Sequence, residues 1–192
     1  MLTQRIERRR TMRQHTYIVT DGSAIGNPGP GGWAAILSSG RSQWHLFGAV
    51  RRTTASEMEL TAAIEALKSL ETGSRVTLCS DSEYLVHGMQ HLADRWRRQG
   101  WLNSRGLPLR DEALWRMLLI QRARHTIRWR WIRGHNGHAV QTKADALAYS
   151  EARRQWAEMR MAAYGSEIAV PRDARLETRG AKRRYTHDHQ AA

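Results

Sequence analysis

Residues 17–37 read YIVTDGSAIGNPGPGGWAAIL, and this stretch decides the fold class. Tyr17 to Thr20 is a short aromatic and β-branched run, which predicts a strand that ends at Asp21-Gly22. Five glycines and two prolines lie between Gly22 and Gly32, and they predict a loop of tight turns. Trp33 to Leu37 predicts a second strand. The stretch therefore predicts two neighbouring strands with an acidic residue where the loop begins.

The chain downstream adds strands and helices in turn. Trp44 to Val50 predicts a third strand, which completes an antiparallel meander. Apolar residues then recur from Leu60 to Leu70 at spacings of three and four, which predicts an amphipathic helix with a Ser56–Glu59 capping box that ends at Gly73. The remaining predicted elements are strand Arg75–Ser80, helix Ser82–Leu92, helix Asp111–Ala123, strand Thr126–Ile132 and helix Thr142–Arg160. This order predicts an α/β fold with a five-stranded mixed sheet, in which the first and fourth strands are parallel.

Composition divides the chain into one domain and two tails. We expect a flexible basic arm over 1–15, one domain over 16–150, an extension of the last helix over 151–165 and a disordered charged tail over 166–192. The longest aliphatic runs are far shorter than the roughly 18 to 20 residues that span a bilayer, so we expect no membrane partner. Cys79 is the only cysteine, which favours a cytoplasmic protein. We also expect a monomer.

Charge is distributed unevenly along the chain. The formal net charge is +13 at pH 7. Residues 16–83 carry five basic and seven acidic side chains, whereas residues 84–135 carry eleven basic and three acidic ones. Such an asymmetry is expected if the first half builds a carboxylate site and the second half holds phosphates. A general preference for arginine would explain the residue type but not the clustering.

Four carboxylates occupy positions that could converge. Asp21 and Asp81 each end a predicted strand, and the carboxyl ends of parallel strands meet at one edge of a sheet. Glu59 and Asp145 each lie in the first turn of a predicted helix. Like charges brought together retain protons unless a cation lies among them, and oxygen ligands favour Mg²⁺ or Mn²⁺. Each residue alone also fits a simpler role in a turn, a helix cap or a solvated helix face.

The motifs resemble ribonuclease HI, the type 1 RNase H family, over about residues 16–150. They follow the family in order and spacing: Asp21-Gly22-Ser23, Gly26-Asn27-Pro28-Gly29-Pro30-Gly31-Gly32, Met58-Glu59-Leu60, Ser80-Asp81-Ser82, and Gly134-His135-Asn136-Gly137-His138 with Ala144-Asp145. The resemblance implies an endonuclease that hydrolyses the RNA strand of an RNA/DNA hybrid and leaves 5′-phosphate and 3′-hydroxyl ends.

The resemblance also implies roles for individual residues. Asp21, Glu59, Asp81 and Asp145 would be the catalytic metal ligands for two Mg²⁺ ions, for which Mn²⁺ can substitute, and Asp21 would bridge both ions. His135 would be the mobile catalytic histidine that assists proton transfer or product release. The alternatives for His135 and His138 are a zinc pair or a loop contact.

The basic cluster Arg95-Trp96-Arg97-Arg98-Gln99-Gly100-Trp101 resembles the basic protrusion, here called the handle, with which bacterial members hold the DNA strand. Arg95, Arg97 and Arg98 would bind phosphates, and Trp96 would contact the substrate or pack the base of the handle. Family positions that contact the nucleic-acid backbone are matched by Asn27 and Thr54, and Gly22 and Ser23 would allow close backbone approach.

Four positions depart from the family pattern. Ala55 and Ser56 replace two asparagines that meet the minor groove, Gln141 replaces another asparagine, and Leu92 replaces a tryptophan at the root of the handle. We expect these departures to affect hybrid affinity and cleavage preference before chemistry. Two competing functions are a related nuclease that cuts DNA, and a hybrid-binding module without catalysis.

Overall fold

The computed structural model describes residues 15–134 and 139–168, which form a five-stranded mixed sheet with helices on both faces. This confirms the predicted fold class. The strand order is β3-β2-β1-β4-β5; β1, β2 and β3 are antiparallel neighbours, and β4 and β5 are parallel to β1. The strands are β1 (Thr16–Ala24), β2 (Gly29–Ser39), β3 (Ser42–Thr53), β4 (Arg75–Ser80) and β5 (Thr126–Trp131).

The helices connect and cover these strands. A π-helical turn, Gly88–Leu92, joins two short helices, where the sequence pattern predicted a single helix. The α-helices are α1 (Ala55–Lys68), α2 (Glu83–His87), α3 (Ala93–Arg98), α4 (Glu112–Arg124) and α5 (Ala139–Ile168).

Alternation along the strands divides the core between the two faces. Ile18 and Leu78 are fully buried in the larger core, which includes α1 and α4. Their neighbours Val19 and Cys79 point to the other face and pack with Ala144 of α5. Because successive side chains of a strand point to opposite faces, one short sheet can support both layers.

Strand β1 is longer than its sequence predicts. It continues through Asp21 to Ala24, and Gly22, Ser23 and Ala24 pair with the start of β2. The predicted loop from Gly22 to Gly32 is therefore wrong over most of its length, since only residues 25–28 separate the two strands. The glycines here serve close packing: a Cβ atom on Gly31 would clash with the Thr53 side chain. Asp21 consequently lies within a strand, not at its end.

Helix α1 begins earlier than expected, with a different cap. The Thr54 hydroxyl accepts a hydrogen bond from the Glu57 backbone N–H, and the Glu57 carboxylate accepts one from the Thr54 N–H. This is a capping box. The predicted Ser56–Glu59 box is wrong, because Glu59 lies in the second turn, two residues beyond the position that caps. Its side chain is thereby available to the sheet edge.

Helix α5 crosses the second face and is longer than predicted at both ends. It begins at Ala139, so Asp145 lies in the second turn and not the first. A Cβ atom on Gly32 would clash with the Ala148 carbonyl, so this glycine lets α5 pack directly on β2. The arm over 1–14 and the tail beyond 168 lie outside the described residues. Within the described ranges, no helix has the length and apolar character needed to cross a membrane.

Candidate active site

Asp21 and Asp81 are brought together by parallel pairing of β1 and β4. Val19 of β1 is in register with Cys79 of β4, so the two aspartates follow at equivalent positions two residues further along. Asp21 is buried at 5% exposure, and Asp81 is half-buried. The Trp131 indole donates a 2.9 Å hydrogen bond to the Asp81 backbone carbonyl, which holds β5 against this position.

Glu59 reaches the same edge from α1. Its carboxylate accepts hydrogen bonds from the Gly22 backbone N–H and from the Ser80 hydroxyl, the latter at 3.3 Å. A Cβ atom on Gly22 would clash with the α1 backbone at Met58 and Glu59, so only glycine permits this approach. Gly22 therefore lets β1 and α1 pack in close contact. The turn that Asp21-Gly22 alone would suggest does not form, because both residues lie within β1.

Helix α5 supplies the fourth carboxylate and an amide. Asp145 is half-buried and lies close enough to Asp21 to raise its pKa. Gln141, one turn earlier and 2% exposed, donates a hydrogen bond of 3.0 Å from Nε2 to Asp21 Oδ1. Gln141 therefore contacts a candidate catalytic carboxylate from within the core. The effect on hybrid affinity expected from its departure from the family pattern stays a prediction.

The electrostatics of this carboxylate edge, Asp21, Glu59, Asp81 and Asp145, favour retained protons or a bound cation. Oxygen atoms of Asp21, Glu59 and Asp81 all lie within 4.8 Å of one another. Burial raises the pKa of Asp21 to about 8, and the neighbouring charges of Asp81 and Asp145 contribute to the shift. Burial and the same kind of repulsion raise the pKa of Glu59 well above its usual range. A divalent cation would relieve this repulsion, so the oxygen donor set fits such an ion.

The histidine loop begins beside this edge. A Cβ atom on Gly134 would clash with Asp81 Oδ2, so Gly134 brings the chain directly against the carboxylate. His135 follows immediately, but both His135 and His138 lie outside the described residues. Their proposed roles stay predictions.

The candidate backbone-contact residues surround the start of α1 and the β1–β2 turn. Gly22 and Ser23 are half-buried in β1, next to the carboxylate edge. Asn27 is exposed in the turn. The Thr54 side chain caps α1, so its hydroxyl is already engaged with a backbone N–H. This arrangement leaves Asn27 as the most accessible of the four positions.

The handle has an exposed basic surface on an aromatic base. Arg95, Arg97 and Arg98 are exposed on α3. Trp96 is only 8% exposed and packs edge-on against Trp115 with ring centroids 5.0 Å apart. This burial favours the packing role for Trp96 over a substrate contact. Leu92, at the root, is partly buried against the same core.

An arginine that the sequence motifs do not include lies between α1 and α2. Arg110 Nη2 is 3.5 Å from the Ser56 hydroxyl, and its guanidinium lies over the Tyr84 ring. Asp111 Oδ2 accepts a hydrogen bond of 3.2 Å from Arg110 Nε and another from the Tyr84 hydroxyl. The positively charged guanidinium of Arg110 thus lies near Ala55 and Ser56, the two positions at which the family pattern has asparagine side chains.

Comparison with known proteins identifies this arrangement. A family model described as RNase H matches residues 13–153. The chain belongs to the RNase H family. Ribonuclease HI of Neisseria meningitidis serogroup B (strain MC58) is 42% identical over 137 residues, covering 71% of this chain and 94% of that protein. Ribonuclease H of Phenylobacterium zucineum is 44% identical over 137 residues, covering 71% and 90%.

Solved structures of RNase H proteins share the fold. LC9-RNase H1, described as a type 1 RNase H with the type 2 active-site motif, superimposes with a TM-score of 0.67 at 30% identity, covering 74% of each chain. LC11-RNase H1, solved in complex with an RNA/DNA hybrid, has a TM-score of 0.53 at 19% identity, covering 72% of this chain and 97% of that one. The second likeness concerns the fold alone.

Three residues at the RNase H site have contacts that their sequence positions did not reveal. Gln141 touches Asp21, Gly134 touches Asp81, and Trp131 is bonded to the Asp81 backbone. The signal for Gln141 was its position four residues before Asp145, which puts both on one face of a helix. Trp131 offered no comparable signal, since alternation along β5 identifies the face of a side chain but not its hydrogen bond.

Proposed function

We propose that this RNase H hydrolyses the RNA strand of RNA/DNA hybrids and leaves 5′-phosphate and 3′-hydroxyl ends. The observation that carries the proposal is the carboxylate edge, where acids from β1, α1, the residue after β4 and α5 converge. Membership of the RNase H family supports a nuclease, and a protein with the same fold, LC11-RNase H1, was solved with an RNA/DNA hybrid.

We further propose that Asp21, Glu59, Asp81 and Asp145 hold two Mg²⁺ ions, for which Mn²⁺ can substitute. The fit is supported by the all-oxygen donor set and by the raised pKa of Asp21, whose proton a cation would replace. Bound divalent cations would supply an activated water on one side of the phosphodiester and stabilise the departing 3′ oxygen on the other.

The chain's own residues orient this site. The Gln141 amide donates a hydrogen bond to one oxygen of Asp21 and so orients the carboxylate that would hold the cations. The Gly22 N–H and the Ser80 hydroxyl hold Glu59 against the sheet edge. His135, next to Gly134, is proposed to carry a proton to or from the reacting groups, for which an imidazole is suited near neutral pH.

Substrate binding is proposed to divide between two surfaces. Gly22, Ser23, Asn27 and Thr54 would contact the hybrid near the carboxylate edge. Arg95, Arg97 and Arg98 would contact phosphates of the DNA strand, because exposed guanidinium groups bind phosphate in planar forks. Trp96 supports the handle from within the core, which holds those arginines in place.

The decisive experiment maps the strand that is cut. Purified protein with Mg²⁺ is incubated with an RNA/DNA hybrid, duplex DNA and duplex RNA, each labelled on one strand at a time. We expect cleavage of the RNA strand of the hybrid alone, abolished by EDTA and restored by Mg²⁺. Cleavage of duplex DNA would favour the DNA-cutting alternative, and binding without any cleavage would favour a hybrid-binding module.

The proposal also covers the oligomeric state and the cellular location of the protein. We propose that the protein acts as a monomer, which is supported by a carboxylate edge drawn entirely from one chain. We propose a cytoplasmic location, which is supported by the single cysteine, Cys79, buried in the core. Sedimentation of the purified protein tests the first, and fractionation of cells tests the second.

A further inference from the structure

One face of α5 carries alternating aromatic and basic side chains. Tyr149, Arg153, Trp156, Arg160 and Tyr164 recur at spacings of four, three, four and four, so they line one side of the helix. Tyr149 is 50% exposed, Trp156 37% and Tyr164 63%. Such a row of large exposed rings is unusual on a solvated helix face, where charged and polar side chains are expected. We call this row the α5 ridge.

The arginines of the ridge are not neutralised. Within the described parts of the chain, neither Arg153 nor Arg160 has an ion pair, and the Arg160 guanidinium lies 4.9 Å from the centre of the Trp156 ring. Arg154, on another side of the helix, is instead bound by the carboxylates of Glu151 and Glu158. The helix therefore pairs its charges on one side and leaves them available on the ridge.

The ridge begins at the carboxylate edge. Asp145 precedes Tyr149 by four residues, one helical turn along the same side. Ile25 of the β1–β2 turn joins Tyr149, Arg153 and Trp156 around a shallow cavity of about 180 Å³. Ile25 lies two residues before Asn27, a candidate backbone-contact residue. A strand bound at the catalytic edge would thus meet the ridge as it continues.

Three of the five ridge residues lie beyond the family match. The RNase H family match ends at residue 153, so Trp156, Arg160 and Tyr164 follow it on the same continuous helix. The family match therefore does not extend over most of the ridge. From Tyr149 to Arg160 it runs about 16 Å, at 1.5 Å per residue.

We propose that the α5 ridge binds the sugar-phosphate backbone of a nucleic-acid substrate that continues past the catalytic edge. The proposal rests on the proposed function. Arg153 and Arg160 bind phosphates, while Tyr149 and Trp156 lie against sugars or unpaired bases. A length of about 16 Å matches about five phosphate repeats of one strand. The ridge therefore lengthens the binding site without taking part in the chemistry.

The test compares short and long substrates under conditions that prevent cleavage. Binding of labelled hybrids of about 6 and about 30 base pairs is measured by fluorescence anisotropy in EDTA, at a temperature at which the shorter hybrid stays paired, with wild-type protein and with the double variant Arg153→Ala/Arg160→Ala. At about 3.4 Å per base pair, the shorter hybrid centred on the carboxylate edge ends about 10 Å away and does not reach Arg153, which lies about 12 Å along the helix from Asp145. We expect the variant to bind the long hybrid about tenfold more weakly, and the short one within about twofold of wild type. The slope of log K against log salt on the long hybrid should flatten by about 1.4 to 1.8, the value expected when two phosphates are no longer neutralised.

A matched control separates this surface from general charge loss. Arg41 and Arg75 are exposed at the end of the sheet opposite the carboxylate edge, so Arg41→Ala/Arg75→Ala removes the same charge elsewhere. We expect that control to keep its preference for the long hybrid. Trp156→Ala should weaken long-hybrid binding and Trp156→Phe should restore most of it, with thermal melting used to verify that each variant is folded.

The outcomes keep the two proposals apart. The inference is overturned if the ridge variant binds both hybrids with wild-type affinity, or if it loses the same factor of affinity for both. Either result would show that the ridge is not a nucleic-acid surface. In that case an acidic protein partner becomes the better occupant. If instead the wild type binds long hybrids through the ridge but cuts no strand in Mg²⁺, the proposed function fails while the ridge stands.

Discussion

The carboxylate edge and the handle place charge in opposite surroundings. At the edge, buried and half-buried carboxylates lie together, and Gln141 and Gly22 donate hydrogen bonds to two of them, Asp21 and Glu59. On the handle, Arg95, Arg97 and Arg98 extend into solvent from a helix anchored by Trp96. Buried like charges are costly and specific, whereas exposed charges are individually weak. Changes at the edge should therefore alter chemistry, and changes on the handle should alter affinity.

The largest expected effect comes from Asp21→Asn. We expect single-turnover cleavage to fall by more than about a thousandfold, since tenfold corresponds to about 1.4 kcal/mol and cation chemistry supplies several kcal/mol. Hybrid binding should change little, because the handle and its tryptophan base are untouched. The control is Glu65→Gln, which removes the same charge near the other end of α1. Cleavage by Asp21→Asn near the wild-type rate would remove Asp21 from the catalytic site.

His135→Ala should have an intermediate effect, and like Asp21→Asn it should alter chemistry more than affinity. We expect turnover to slow by roughly 10 to 10³-fold without being abolished, as for a group that assists proton transfer. The pH dependence of kcat should flatten in the variant if the imidazole carries the proton. A fully active His135→Ala together with an inactive His138→Ala would show that the catalytic role belongs to His138 and not to His135.

The handle variant should separate affinity from chemistry. We expect Arg95→Ala/Arg97→Ala/Arg98→Ala to raise KM about tenfold and to leave kcat within a few-fold. If these arginines neutralise two or three phosphates, the slope of log K against log salt should flatten by about 1.4 to 2.7 in the variant. The triple change Arg172→Ala/Arg175→Ala/Arg179→Ala is a control of equal charge. A larger fall in affinity from that control, or an unchanged slope in the handle variant, would place the phosphate-binding surface elsewhere.

The smallest expected effect is on stability without metal. The folded-state pKa of Asp21 is about 8, above its ordinary value of 3.8, so the folded state holds more protons between these values. This contribution is fully present below about pH 4 and is lost as pH rises through 8. In EDTA, Asp21→Asn should therefore be more stable than wild type at pH 8, and its advantage should be larger at pH 8 than at pH 5. Urea unfolding at pH 5 and pH 8 checks this, and an equal or lower stability of the variant at pH 8 would contradict it.

Elements decided by one local pattern were predicted correctly from the sequence. Strand β4 was predicted with its observed bounds, because Arg75–Ser80 is a short apolar run between turn residues. Strand β1 was predicted too short, since Gly22 reads locally as a turn and pairs with Trp33 only in the folded sheet. The helix cap was likewise misplaced, because Thr54 with Glu57 and Ser56 with Glu59 offer the same capping-box pattern in the sequence.

The candidate site shows the same division. The positions of Asp21 and Asp81 follow from parallel strands, which the order of elements predicts. The contact from Gln141 to Asp21 depends on how α5 crosses the sheet, and Gly32 sets that crossing through close packing. Gln141 and Asp21 lie 120 residues apart in the sequence. Long-range packing of this kind is the part that local patterns do not contain.

The most direct test of the carboxylate edge counts the protons released when it binds a cation. Calorimetric titration of Mg²⁺ into metal-free protein at pH 7, in buffers of different ionisation enthalpy, measures this number. Because the pKa of Asp21 is about 8, we predict release of about one proton per protein, and clearly less from Asp21→Asn. Mg²⁺ binding without proton release, or equal release from the two proteins, would contradict a cation site built on Asp21.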